Sequence, residues 1–186
     1  MNNWKIYHDK VKGSDARPLL EEAMKHCVPG RALDIGAGSL NESRYLAAHG
    51  FLVTALDPYI DATITEKNIE IVRTPVESYD FPVSTFTLAV SFFTLPFVSP
   101  GEISNIIKKI HVSLHDDGIF AGQFFGPNDA WKGRDAVTTH TRQEVEQMFT
   151  GYDFVKFEEV EGTNGTAMEG EKYWHIFHVI ARKSHV

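Results

Sequence analysis

Asp34, Gly36, Gly38 and Asp57 share one stretch, Arg31 to Asp57, and have the types and spacing of a small-molecule site. Gly36 and Gly38, with Ala37 between them, make a turn poor in β-carbons, so a ligand can lie against bare backbone. Asp57 follows about twenty residues on, where a carboxylate takes the hydroxyls of a ribose. The chemistry implied is nucleoside binding, and charge selects the nucleoside. A dinucleotide turn carries a third glycine where this chain has Asn41, and Asp34 stands just before the turn. A carboxylate there repels a pyrophosphate by about 1 to 4 kcal/mol at a separation of about 4 Å, and it attracts a cation. S-adenosylmethionine, a nucleoside with a sulfonium and an ammonium group, meets both acids. The competing reading of Asp34 is a turn or capping residue of an ordinary α/β protein.

Positioning these residues takes strand, turn, helix and strand. Ala32, Leu33 and Ile35 form the short apolar run of a buried parallel strand. Ser39 and Glu42 read as a capping box that starts a helix carrying Leu40, Tyr45, Leu46 and Ala47 and ending at Gly50. Phe51 to Leu56 is the second strand. Upstream, Met1 to Ser14 reads as an irregular arm with Trp4 and Tyr7, either loosely packed or a flap over the ligand, and Asp15 to His26 as a helix. Downstream, Pro58 to Lys67 is a short helix or loop, and Ile69 to Arg73 and Phe86 to Phe92 are the third and fourth strands. Ser99 and Glu102 read as a second capping box, with Pro100 at the first helical position. Ile103, Ile106, Ile107, Ile110 and Leu114 then keep helical spacing up to Asp116-Asp117-Gly118. Ile119 to Phe125 is the fifth strand, and a long loop, Gly126 to His140, follows it. Thr141 and Glu144 cap one more helix, and Phe154 to Val160 pairs with Tyr173 to Ala181. Alternating strands and helices make a doubly wound α/β sheet with helices on both faces, and such sheets bind ligands outside the strand carboxyl ends. That rim gathers Asp34 to Gly38, Asp57 with Pro58 behind it, Val76, Ser91 and Phe92 with the loop to Pro96, and Phe125 to Trp131.

The run L-D-I-G-A-G with the acid at Asp57 resembles the first two motifs of class I S-adenosylmethionine-dependent methyltransferases. The blocks S-F-F-T-L-P-F-V, G-I-F-A-G-Q-F-F-G-P-N-D-A-W and K-Y-W-H-I-F-H-V-I-A-R-K resemble a small bacterial branch related to tellurite-resistance methyltransferases. The resemblance spans nearly the whole chain and implies a seven-stranded Rossmann-like sheet with its last strand antiparallel. It also implies that Arg17 pairs the cofactor carboxylate and that Val76 and Glu77 lie near adenine. Two positions depart from the pattern: Leu40, where many members carry a glycine, and Pro75, where many carry the aspartate that reads the adenine amino group. Tellurite- or selenite-type oxyanions enter as acceptors only through this kinship.

Composition narrows the partners. A net charge of −7 opposes a nucleic-acid groove, and no stretch approaches twenty apolar residues, so no membrane partner is expected. The length suits a single domain over residues 1–186, with 1–14 as its N-terminal arm. The start M-N-N-W-K-I-Y-H-D lacks an apolar leader and Cys27 is alone, which together point to the cytoplasm. A monomer and a homodimer fit equally.

Methyl transfer is an in-line displacement in which orientation alone can supply about 7 to 11 kcal/mol. A base is needed only for a protonated acceptor, and His140 and Asp129 are the rim's candidates, each with a surface role as its competitor. Tyr7, Phe93, Phe125 and Trp131 are the candidate walls of a small-molecule acceptor site. No metal site is expected: His111 and His115 lie one helical turn apart but lack a third ligand, and His175 and His178 face opposite sides of their strand. The rival functions are an NAD(P)-dependent oxidoreductase, which Asn41 and Asp34 oppose, and a non-catalytic cofactor-binding protein of the same fold.

Overall fold

The apolar run read as the first strand is β1 (Arg31–Ile35), and in a computed structural model, which describes residues 3–185, it lies near the middle of one seven-stranded sheet. The other strands are β2 (Leu52–Leu56), β3 (Ile69–Val72), β4 (Phe86–Ser91), β5 (Leu114–Phe125), β6 (Tyr152–Gly165) and β7 (Glu171–Lys183), in the order β3-β2-β1-β4-β5-β7-β6. β1 to β5 pair in parallel, and β7 runs antiparallel to both neighbours. The doubly wound, mixed sheet expected from the pattern and the resemblance is present.

Alternation along the strands splits the core into two apolar layers. Leu33, Ile35, Phe120, Phe124 and Phe177 face the isoleucine stripe Ile103, Ile106, Ile107 and Ile110 of α4 (Pro100–Ser113), together with Val145 of α5 (Arg142–Met148). On the other face Ala32, Val53, Leu88, Ala121 and Ile180 meet Leu19, Leu20 and Ala23 of α2 (Pro18–Met24) and Leu46 of α3 (Asn41–Ala48). Both layers are fully desolvated, and each buried leucine or isoleucine side chain contributes about 1.5–3 kcal/mol of transfer free energy.

Several local expectations change. The arm is α1 (Asn3–Val11), a helix and not an irregular segment; Met1 and Asn2 lie outside the described residues. The helix placed over Asp15–His26 covers only Pro18–Met24. Neither Ser39 nor Ser99 caps a helix through its side chain, whereas Thr141 and Glu144 form the full reciprocal box. The Ser39 box fails because the chain makes one more turn: Leu40 is the N-cap, buried, at φ 65. That left-handed backbone favours glycine, since a residue with a β-carbon there costs about 1–2 kcal/mol. The C-terminal strands are longer than read, because β6 and β7 continue as a ladder from Tyr152↔Lys183 to Gly165↔Glu171. Among the described residues no helix is long and apolar enough to cross a membrane.

Candidate functional site

At the carboxyl end of β1 the amides of Gly36 and Ala37 donate to the Leu56 carbonyl at 2.7 and 3.1 Å, which ties the turn to the tip of β2. Asp57, buried at that tip, accepts from the Gly38 amide at 3.1 Å and from the Tyr59 amide at 2.7 Å. A β-carbon at Gly36 would overlap the Thr94 hydroxyl, and one at Gly38 would come within 2.8 Å of His8 Nε2. Both glycines have positive φ, 78 and 44, so the turn is bare because its backbone and its neighbours leave no room for a side chain.

Asp34 lies beneath this turn. It is fully buried and accepts from Ser43 Oγ of α3 at 2.6 Å. Burial first, and then the neighbouring Glu42 carboxylate, push its pKa up to about 7. An acid whose folded pKa exceeds its unfolded value holds more protons folded than unfolded between the two. Stability contributed by the Asp34 environment is therefore greatest below pH ~4 and falls as pH rises to about 7, by about 4 kcal/mol for a shift of this size. Asp34→Asn, which keeps the acceptor for Ser43, should raise Tm at pH 8 by several degrees and leave it unchanged at pH 4. Differential scanning calorimetry at the two pH values checks this, and a lower Tm at pH 8 contradicts it.

Glu42 was read as a cap but belongs to the acidic cluster, 3.7 Å from Arg17 Nε. Arg17 precedes α2, lies over the rings of Phe92 and Phe93 at 5.8 and 5.3 Å, and has a buried Nε without a hydrogen-bond partner. α1 crosses the turn from above. Asn41 donates to the Val11 carbonyl at 2.7 Å and accepts from the Gly13 amide at 2.9 Å, and His8 Nε2 lies 3.9 Å from Asp57. Pro58 and Glu77 are exposed. Val76 is buried in a 3-10 turn, Val76–Ser78, with Pro75 as its N-cap, and Ser91 is buried with its hydroxyl unpartnered.

The loops after β4 and β5 build the other half of the site. Phe93, at φ 56, is a large side chain on left-handed backbone, a combination that persists only where surroundings enforce it. Its ring lies 5.6 Å from Phe125 and 5.5 Å from Trp174, and Trp131 is 5.7 Å from Phe125 and 5.5 Å from Trp174. Phe97 joins Phe125 and Trp131, and Trp4 of α1 packs on Phe97 at 5.2 Å. Tyr7 is half-buried beside Trp4 at 6.2 Å. The structure thus brings together Phe93, Phe125 and Trp131, leaves Tyr7 outside at the far side of Trp4 and Phe97, and adds Phe97, Trp174 and Lys172.

Neither base candidate lies in this aromatic cage as a free base. Asp129 is buried and paired with Lys172, and it also accepts from the Trp131 and His175 amides at 2.9 and 3.1 Å. His140 packs on Phe124, whose side chain faces the layer opposite to Phe125, and burial lowers its pKa.

The histidines weighed as metal ligands have local partners. His111 meets the Gly151 carbonyl, His115 meets Ser84, and His178 meets Gln123. Glu159, Glu161 and His175 have ligand atoms within 4.8 Å of one another. The Asn128 amide takes the Nδ1 lone pair of His175, however, so Nε2 carries the proton that faces Glu159 at 2.9 Å. With its hydrogen bonds in place, that ring has no lone pair to give a metal.

The family model described as tellurite resistance protein TehB matches residues 1–173. The chain belongs to the TehB family. Solved structures with this fold include a Burkholderia thailandensis 1,6-didemethyltoxoflavin-N1-methyltransferase with bound 1,6-didemethyltoxoflavin and S-adenosylhomocysteine. It is 22% identical with a TM-score of 0.74, over 96% of this chain and 84% of that one. A Methanosarcina mazei S-adenosylmethionine-dependent methyltransferase is also 22% identical, with a TM-score of 0.71 over 91% and 99% of the two chains. TehB from Haemophilus influenzae is 16% identical with a TM-score of 0.75, over 91% of this chain and 63% of its own. Among curated proteins none matches the chain. The TehB fold is therefore that of S-adenosylmethionine-dependent methyltransferases, and in this TehB chain the bare turn and the aromatic cage both sit at the rim where the strand order reverses.

Proposed function

We propose that this chain is an S-adenosylmethionine-dependent methyltransferase acting on a small molecule. The observation that carries the reading is the turn Gly36–Gly38, bonded to Asp57 and bordered by Asp34 and Glu42. Above about pH 7, where Asp34 is ionised, three carboxyl groups around a bare turn repel a diphosphate and attract a cation, which disfavours the nicotinamide reading. The cofactor fits the residues present: Gly36 and Gly38 lack the β-carbons that would fill the cradle, and Arg17 offers a buried N–H without an acceptor. Asp57 would hold the ribose, the glycine turn and Arg17 the methionine part, and Val76 the base. When bound, the cofactor supplies an electrophilic methyl group on sulfur.

The protein's task is then placement. Phe93 on its strained backbone, Thr94 packed against Gly36, and the cage of Phe125, Trp131 and Trp174 link the cofactor turn to the acceptor side. Holding reactants in line can supply about 7 to 11 kcal/mol of such a rate enhancement, and no dedicated base is required of an acceptor that arrives unprotonated.

Incubation with methyl-labelled S-adenosylmethionine and a panel of thiols, phenols and oxyanions tests the proposal. Labelled product with stoichiometric S-adenosylhomocysteine is expected from at least one acceptor. A chain that binds the cofactor yet transfers to none of them would favour the non-catalytic reading.

A further inference from the structure

Lys172 is the one buried lysine of the described residues, and it stands in the aromatic cage. Its Nζ lies 3.8 Å from the ring centres of both Trp131 and Trp174 and 4.6 Å from that of Phe125. Asp129 Oδ1 is its one hydrogen-bond acceptor, and that carboxylate is itself shared with two backbone amides. An ammonium has three N–H donors, so two are left without a hydrogen-bond acceptor among the described residues, with three aromatic rings beside them. The indole Nε1 of Trp131, in the same cage, is buried with no partner at all. The cage therefore presents donors in excess of acceptors, whereas the glycine turn, one loop away through Phe93, presents carboxylates. The two ends of the site sort charge: cation at the turn, anion at the cage.

We propose that Lys172, with the Trp131 indole N–H, recognises the methyl acceptor, and that the acceptor is a flat, delocalised anion of the aryl thiolate, phenolate or azaheterocycle kind. The inference rests on the methyltransferase reading and narrows its substrate class. Four aromatic walls favour a π-system by stacking, and a delocalised anion gives up less hydration on burial than a compact, highly charged oxyanion, which two donors would serve poorly. The step balances without a base. The acceptor's lone pair forms the new bond to the methyl carbon, the carbon–sulfur bond breaks with its electrons going to sulfur, and an anion and a sulfonium become two neutral products. Loss of the negative charge removes the hold of Lys172 on the product and assists its release.

4-Nitrothiophenolate is a suitable probe, because S-methylation bleaches its visible absorption. All three tryptophans (Trp4, Trp131 and Trp174) belong to this aromatic cluster, so binding also reads out as quenched fluorescence. The wild-type chain is expected to methylate it at pH 7.5, while selenite at the same concentration neither reacts nor competes. Lys172→Met should lower kcat/KM at least 30-fold, mostly through KM, with affinity for S-adenosylhomocysteine changed less than twofold. Lys172→Arg should retain a tenth or more of the activity. The double variant Lys172→Met/Asp129→Asn removes both charges; it should melt within a few degrees of wild type and still lose transfer, which separates recognition from folding. Three results overturn the inference: Lys172→Met within threefold of wild type, selenite matching the thiolate, or a wild-type chain that binds S-adenosylhomocysteine but not the thiolate. Failure to bind S-adenosylhomocysteine would overturn the methyltransferase reading instead.

Discussion

Asp57→Ala should weaken S-adenosylhomocysteine binding about 100-fold or more, with a smaller loss of thermal stability. The carboxylate does two jobs at once in this geometry. It accepts from the Gly38 and Tyr59 amides, fixing the turn from one side, and it is the group placed to take the ribose hydroxyls. Hydrogen bonds to a charged acceptor are worth about 1.5–3 kcal/mol each, and removal leaves buried donors unsatisfied. Asp57→Asn keeps one acceptor oxygen and should fall between alanine and wild type. Calorimetric titration of the three proteins measures the series. Equal affinities across it would remove Asp57 from the site.

Gly36→Ala should be the most damaging single methyl group in the chain. The left-handed φ of 78 costs an alanine about 1–2 kcal/mol. The added carbon also overlaps Thr94 Oγ1, so the loop that carries Phe93 must move. A loss of about 3 kcal/mol corresponds to a fall in Tm of about 6–12 °C for a chain of this size, and transfer should disappear with it because Phe93 is displaced. Thr94→Gly in the same molecule removes the overlapping side chain and should recover part of the stability but not the φ penalty. No recovery would mean that the crowding at Thr94 is irrelevant and that backbone conformation alone decides.

The framework was legible because its signals are local. Apolar runs, two glycines and a downstream acid placed β1, the turn and β2 correctly, and isoleucines at helical spacing placed α4. Errors arose where one residue's backbone or a distant partner decided. Leu40 takes a left-handed conformation that propensity would not assign to leucine, so the α3 cap was misread and Glu42 went unrecognised as a site acid.

The second half of the site depended on register. Phe125 and Phe124 are adjacent, and the pairing of β5 with β7 sends one to the cage with Trp174 and the other to His140. Lys172 and Trp174 join the cage only through the pairing of β7 with β5 and the loop that carries Asp129, neither of which has a local signal. Alternation along K-Y-W-H-I-F-H does place Lys172, Trp174, Ile176 and His178 on one face. The pairing of Lys172 with Asp129, 43 positions apart, had no local signal.

The central claim is that a bare turn among three carboxyl groups holds an adenosyl cation and rejects a diphosphate. Isothermal titration of the wild-type chain with S-adenosylmethionine and, separately, with NAD at pH 8 tests it most directly. The account predicts one site per chain with micromolar affinity for the sulfonium compound and no detectable heat from the dinucleotide. Binding of NAD with equal or greater affinity would contradict it.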